Sequence, residues 1–93
     1  MTYKKEIGEL RRTIDRLNEE LIGKLSERVD VASKIGTVKK RHGKPVIDRK
    51  REDEVYDQVR KLALVRNLDP EGVERVFREI IRLCTDVEME AGQ

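Results

Sequence analysis

The sequence predicts an all-α fold with one long helix and two shorter helices, in a single domain over residues 1–93. Apolar residues recur at steps of three and four along most of the chain, which is the spacing of one face of an α-helix. The 93 residues include only two prolines and are rich in strong helix formers, which argues against an all-β fold. The length allows one small domain.

The first predicted helix covers about residues 4–41, a stretch without proline. Its apolar stripe consists of Ile7, Leu10, Ile14, Leu17, Leu21, Leu25, Val29, Ala32, Ile35 and Val38. The helix should end at the segment that follows, because Gly43 suits a left-handed cap and Pro45 blocks continuation.

Capping residues mark the two shorter helices. Asp48 is a favourable N-cap for a helix over about residues 49–66, and Asn67 can close it. Asp69 before Pro70 places an N-cap and a first-turn proline at the start of a third helix. The apolar stripes of these helices are Val55, Tyr56, Val59, Leu62 and Ala63, then Val73, Val76, Phe77, Ile80, Ile81, Cys84 and Val87.

The first helix is too long for a compact domain of this size. A helix of about 38 residues is roughly 57 Å long, whereas a compact 93-residue domain has a radius of gyration of about 12 Å. Either the helix bends back near Gly23 or Gly36, or a second chain covers much of its apolar stripe. We expect the second arrangement, an antiparallel association of two long helices.

Composition excludes several classes of protein. Lysine and arginine total 21 against 19 acidic residues, for a net charge of +2, so no global basic field points to a nucleic-acid partner. One cysteine, Cys84, excludes an internal disulfide, and with the single His42 it leaves too few soft ligands for zinc or haem. We therefore expect no metal and no cofactor. Because the sequence contains neither a membrane-length apolar run nor an apolar signal core, we expect no membrane partner and a cytoplasmic protein.

Two cations interrupt the stripe of the first helix. Arg28 and Lys39 are eleven residues apart, which places them within roughly 20° of one face with Cα atoms about 16 Å apart. Their long side chains could converge on one anion. Arg11 lies about 25 Å from Arg28 and about 100° around the helix, so it could share that anion from a second chain. Taken singly, each could instead be a cation whose stem packs on the stripe.

Polar groups also interrupt the other two stripes. Arg51 and Glu52 precede Val55 on the second helix, and Cys84 and Glu88 continue the stripe of the third. A carboxylate that extends an apolar stripe is a candidate proton-bearing hydrogen-bond donor. The alternative is that the last turn frays and Glu88 points to solvent.

Five segments in order resemble one known family. Residues 10–18, Leu-Arg-Arg-Thr-Ile-Asp-Arg-Leu-Asn, are close to its opening pattern L-R-x-x-I-D-x-L-D, and residues 44–52 resemble its P-V-x-D-x-x-R-E signature. Residues 25–28 and 35–39 continue the resemblance along the first helix, and residues 77–81 fit the family's last helix. On these segments the chain resembles the all-helical chorismate mutase family, whose members are intertwined homodimers of three-helix chains.

The resemblance implies the rearrangement of chorismate to prephenate, the committed step toward phenylalanine and tyrosine. This intramolecular [3,3] shift requires no nucleophile, metal or cofactor. The enzyme must hold a dicarboxylate in its compact conformer and stabilise negative charge on the breaking ether oxygen. The implied catalytic and substrate-binding residues are Arg11, Arg28, Lys39, Asp48, Arg51, Glu52, Cys84 and Glu88.

Each of these positions has an implied role. Arg28 and the Arg11 of a second chain should bind the substrate carboxylates. Lys39 should contact the ether oxygen and a carboxylate. Glu52, with the Asp48 region, should receive the ring hydroxyl. Arg51 supports the carboxylate end or orients neighbouring acids.

Cys84 and Glu88 depart from the common bacterial pattern, which has a small hydroxyl residue and a glutamine there. A thiol is a weak donor, so we expect Cys84 to pack rather than to act as a nucleophile. An ionised Glu88 would repel the developing oxyanion, whereas a protonated one can donate to it. We therefore expect activity to fall as pH rises.

Two other functions remain open at this point. An isochorismate–pyruvate lyase on the same scaffold would also bind an enolpyruvyl dicarboxylate. A non-catalytic helical dimerisation module is the alternative from another class, although charges within its stripes would be costly. Because the sequence ends soon after Glu88, we expect a freestanding enzyme without a regulatory domain.

Overall fold

A computed structural model of the chain, which describes residues 2–92, contains three α-helices and no strand in that range. They are α1 (Tyr3–Arg41), α2 (Arg49–Val65) and α3 (Pro70–Ala91). The predicted all-α class is confirmed. The predicted ends of α1 and α2 each lie within one residue of the observed ends. None of these helices is both long and apolar enough to span a membrane.

The capping residues act as predicted from the sequence. Asp48 accepts a hydrogen bond from the backbone N–H of Arg51, and Asp69 accepts two from the first turn of α3. Gly43 follows α1 with a φ of +67°, and Asn67 follows α2 with a φ of +59°. Both residues lie in the left-handed region that commonly follows a helix.

Helix α3 is the centre of the fold because it packs against both α1 and α2. The buried residues of the core are Ala32, Gly36, Val55, Val59, Ala63 and Cys84. Most of them are small, so the helices can approach closely, but the buried apolar surface is limited. The C-terminal half of α1 lies against α3.

Helix α1 does not bend back on itself. It is continuous through Gly23 and Gly36, and the molecule measures 61 × 25 × 15 Å with a radius of gyration of 17.3 Å. Its apolar stripe therefore stays largely exposed, with Leu10 at 63% and Leu21 at 66% of full exposure. Covering of this stripe by a second chain remains a prediction, and the alternative of a bent helix is excluded.

A polar network joins α2 to α3 on the outside of the fold. Glu74 accepts hydrogen bonds from Arg78 at 2.8 Å and from Arg60 at 3.1 Å. The Arg78 guanidinium also stacks 4.3 Å above the ring of Tyr56. The hydrogen bond from Arg78, followed by that from Arg60, holds the pKa of Glu74 below its ordinary value despite partial desolvation.

Replacing Glu74 with glutamine is expected to lower the thermal midpoint at neutral pH. Because the folded-state pKa of Glu74 is lowered, its stabilising contribution is present above the ordinary carboxyl pKa and is lost as pH falls through the lowered value. Circular dichroism melts of the parent and Glu74→Gln should therefore differ most at neutral pH and converge in acid. Glu79→Gln is the matched control, since its pair with Arg82 is exposed at 3.6 Å. A difference that is equal at every pH would contradict this account.

Candidate active site

A pocket of about 360 Å³ lies where the three helices meet. Its charged lining residues are Arg28 and Lys39 from α1, Arg51 from α2, Asp48 at the start of α2, and Glu88 from α3. Apolar side chains of all three helices complete the wall. With three cations against two carboxylates, the pocket has a net positive charge that favours an anionic ligand.

Lys39 is held in the pocket by two acceptors. Its Nζ donates to the backbone carbonyl of Val46 at 2.6 Å and to Oε1 of Glu88 at 2.9 Å. The side chains of Lys39 and Glu88 are only 23% and 13% exposed. An ammonium group has three N–H donors, so these two contacts leave a third for a ligand. The pair places a fixed positive charge and a carboxylate side by side in the pocket.

Arg28 is held from the opposite helix by Cys84. Its Nη1 donates to the Cys84 Sγ at 2.9 Å, and Cys84 is 4% exposed. Cys84 thus packs in the core and also accepts a hydrogen bond from Arg28, a contact that the sequence did not indicate. A guanidinium has five N–H donors in a planar fork, so Arg28 keeps enough donors to bind a carboxylate.

Asp48 and Arg51 bring the start of α2 to the edge of the pocket. Oδ1 of Asp48 accepts from the backbone N–H of Arg51 at 3.1 Å, so this carboxylate both caps α2 and lines the pocket. The Arg51 guanidinium reaches Glu54 at 3.5 Å with 65% of its side chain exposed. A pairing this exposed costs little to exchange for a ligand.

The structure does not place Glu52 or Arg11 in this pocket. Glu52 lines a neighbouring depression of about 270 Å³ and accepts from Arg49 at 3.4 Å. Arg11 is exposed on the N-terminal half of α1. Their roles stay predictions, and that of Arg11 requires a second chain. His42 is the exposed C-terminal cap of α1.

Sequence reasoning missed three contributions to the pocket. Val46 acts through a backbone carbonyl, which carries no residue-specific signal. Thr85 lines both the pocket and the neighbouring depression, and its position beside Cys84 could have indicated this. Gly36 was considered as a possible bend of the first helix and not as part of the site, although it is buried and lies one turn before Lys39.

The comparisons with known proteins agree on one family. Residues 10–89 match the family described as chorismate mutase type II. The chain is 34% identical over 86 residues to the bifunctional chorismate mutase/prephenate dehydratase of Aquifex aeolicus, covering 89% of this chain and 24% of that protein. It is 29% identical over 76 residues to the chorismate mutase of Methanocaldococcus jannaschii, covering 82% of this chain and 77% of that protein.

A third relative gives the same result. The chain is 32% identical over 81 residues to the bifunctional chorismate mutase/prephenate dehydratase of Escherichia coli, which covers 87% of this chain and 21% of that protein. The chain thus spans less than a quarter of both bifunctional relatives and most of the Methanocaldococcus protein. The match over residues 10–89 includes all of α2, most of α1 and α3, and every charged residue of the pocket. The chain therefore belongs to the chorismate mutase type II family.

Proposed function

We propose that this chain is a chorismate mutase that rearranges chorismate to prephenate in phenylalanine and tyrosine biosynthesis. The observation that carries the proposal is the pocket in which Arg28 and Lys39 converge from one face of α1 opposite Glu88. A partly enclosed cavity with net positive charge suits a dicarboxylate substrate. Family membership supplies the reaction, and the pocket supplies residues that can perform it.

The mechanism follows from what an intramolecular rearrangement needs. Arg28 binds a substrate carboxylate through its forked donors, which restrains the substrate in the compact conformer. Lys39 then directs its remaining N–H to the ether oxygen, where negative charge develops as the C–O bond breaks. Because Val46 and Glu88 already hold the ammonium, little reorganisation is needed in the transition state. The reaction then requires no protein nucleophile.

The remaining pocket residues complete the substrate contacts in this proposal. Arg51 exchanges its exposed pairing with Glu54 for the carboxylate end of the substrate. Asp48 and Glu52 receive the ring hydroxyl, Glu52 by turning from the neighbouring depression. Cys84 fixes the orientation of Arg28.

The functional unit in this proposal is a homodimer in which a second chain contributes Arg11 to each pocket. The exposed apolar stripe of α1 supports it, because an elongated chain of this shape leaves a large apolar face in water. The chain is a single domain and acts in the cytoplasm. Light scattering at micromolar concentration should give twice the monomer mass; a monomeric mass would contradict the shared site.

The direct test of the activity is an absorbance assay with purified protein. Chorismate absorbance should fall at a rate proportional to the enzyme concentration. The amount of prephenate formed should equal the amount of chorismate lost. Isochorismate should remain intact under the same conditions. Release of pyruvate from isochorismate, with chorismate untouched, would favour the lyase. Turnover of neither substrate, with salt-sensitive retention on DNA, would favour the dimerisation module.

The Glu88→Gln variant tests the role of Glu88. An ionised Glu88 opposes the developing oxyanion, whereas a glutamine amide can donate a hydrogen bond to the ether oxygen. Glu88→Gln should therefore raise kcat/KM for chorismate. An unchanged or lower kcat/KM would contradict the assignment.

A further inference from the structure

The backbones of α1 and α3 lie very close together where Gly36 faces Glu88. A Cβ atom built on Gly36 would lie 2.5 Å from the backbone oxygen of Glu88 and 2.8 Å from its Cα. Both distances are far below van der Waals contact between such atoms. Since the obstructing atoms belong to backbone rather than to a flexible side chain, no residue other than glycine fits here without moving a helix.

This approach lies directly beneath the Lys39–Glu88 pair. Gly36 is three residues before Lys39, so both occupy the same face of α1. The backbone of Glu88 rests on Gly36, and its carboxylate extends to the Lys39 ammonium at 2.9 Å. Any side chain at position 36 would push α3 outward by about 1 Å to restore ordinary contact. A pair separated by a further ångström is no longer hydrogen-bonded.

We propose that Gly36 is a positioning residue of the active site. It lets the α3 backbone lie directly on α1 and thereby sets the distance between the Lys39 ammonium and the Glu88 carboxylate. The effect of Gly36 on catalysis rests on the proposed mutase function. Its effect on the distance between Lys39 and Glu88 does not. Gly36 itself touches no substrate and acts only through the placement of α3.

The first test compares Gly36→Ala with Gly23→Ala. Gly23 lies on the same helix, and a Cβ added there meets nothing within 4 Å, so Gly23→Ala should keep the parental kcat. Gly36→Ala should lose about 10- to 100-fold in kcat, the cost of an ångström-scale misplacement. Its KM should change less, because the backbone of Arg28 belongs to α1 and only the hydrogen bond from Arg28 to Cys84 ties this side chain to α3. Parental kcat in Gly36→Ala, or an equal loss in both variants, would overturn the proposal.

The second test measures the pair without substrate. Thermal unfolding of Lys39→Ala, Glu88→Ala and the double variant gives the coupling between the two side chains as the departure from additivity. The same cycle is repeated with Gly36→Ala present throughout. Coupling should be found in the parent background and lost with Gly36→Ala. Unchanged coupling would overturn the proposal. If the parent protein lacked mutase activity, the proposed function would fail while this cycle still decided the role of Gly36.

A third variant covers the case in which Gly36→Ala does not fold. Glu88→Asp leaves the contact between the two backbones intact but shortens the acidic side chain by one methylene. The distance between the Lys39 ammonium and the carboxylate at position 88 therefore increases without any movement of α3. It should lose kcat to a similar extent and lose its coupling to Lys39 in the unfolding cycle, with circular dichroism unchanged. Retained coupling and turnover in Glu88→Asp would show that the distance set at Gly36 is unimportant, and would overturn the proposal.

Discussion

Lys39→Ala is expected to reduce kcat by about 10³-fold, the upper range for loss of one preorganised oxyanion donor. Lys39 is already held in the pocket by two acceptors, Val46 and Glu88, so its charge is preorganised for the ether oxygen. Its loss should affect kcat more than KM, because the contact strengthens as negative charge develops. Steady-state kinetics with chorismate measure this split.

Lys34→Ala is the matched control for that prediction. Lys34 is exposed on the same helix and does not line the pocket, so its removal makes an equal change in net charge. It should leave kcat within about twofold, as expected for an exposed charge. Equal losses in both variants, or unaltered turnover in Lys39→Ala with native circular dichroism, would refute the role given to Lys39.

Mixing Arg11→Ala protein with Arg28→Ala protein is expected to restore activity that neither has alone. If each site uses Arg28 of one chain and Arg11 of the other, a mixed dimer contains one intact site and one doubly defective site. With random exchange between symmetric dimers, about a quarter of all sites become intact. The restored rate should therefore approach about a quarter of the parental rate once the chains have exchanged.

The control mixture uses two residues of the same pocket. Arg28 and Lys39 line one cavity within a single chain, so mixing Arg28→Ala with Lys39→Ala produces no intact site. This mixture should stay inactive. Recovery in the control mixture, or no recovery with Arg11→Ala after proven exchange, would contradict a site shared between chains.

Most of the fold could be predicted because its determinants are local. Helix ends follow from Asp48, Asp69 and Gly43, each acting within one turn of its own position. The sequence also predicted that α1 is too long for a compact domain, and the dimensions of the molecule agree. The partner that covers the exposed apolar stripe of α1 could not be derived in the same way, because its identity depends on contacts between different chains.

The site was predictable where residue type and helical period carry the chemistry. Arg28 and Lys39 share one face because of their spacing, and the structure places both in one pocket. Val46 and Gly36 could not be identified, because a backbone carbonyl and a missing Cβ matter only once helices are packed. Glu52 was placed by resemblance, yet its side chain in this structure pairs with Arg49 outside the pocket.

A crystal structure with a bound dicarboxylate mimic of the rearrangement transition state tests the central claim most directly. The account predicts that the mimic lies between Arg28, Lys39 and Glu88, with Lys39 on its ether oxygen and Arg11 of a second chain on a carboxylate. A structure with the mimic elsewhere, or with these side chains turned into solvent around an empty cavity, would contradict it.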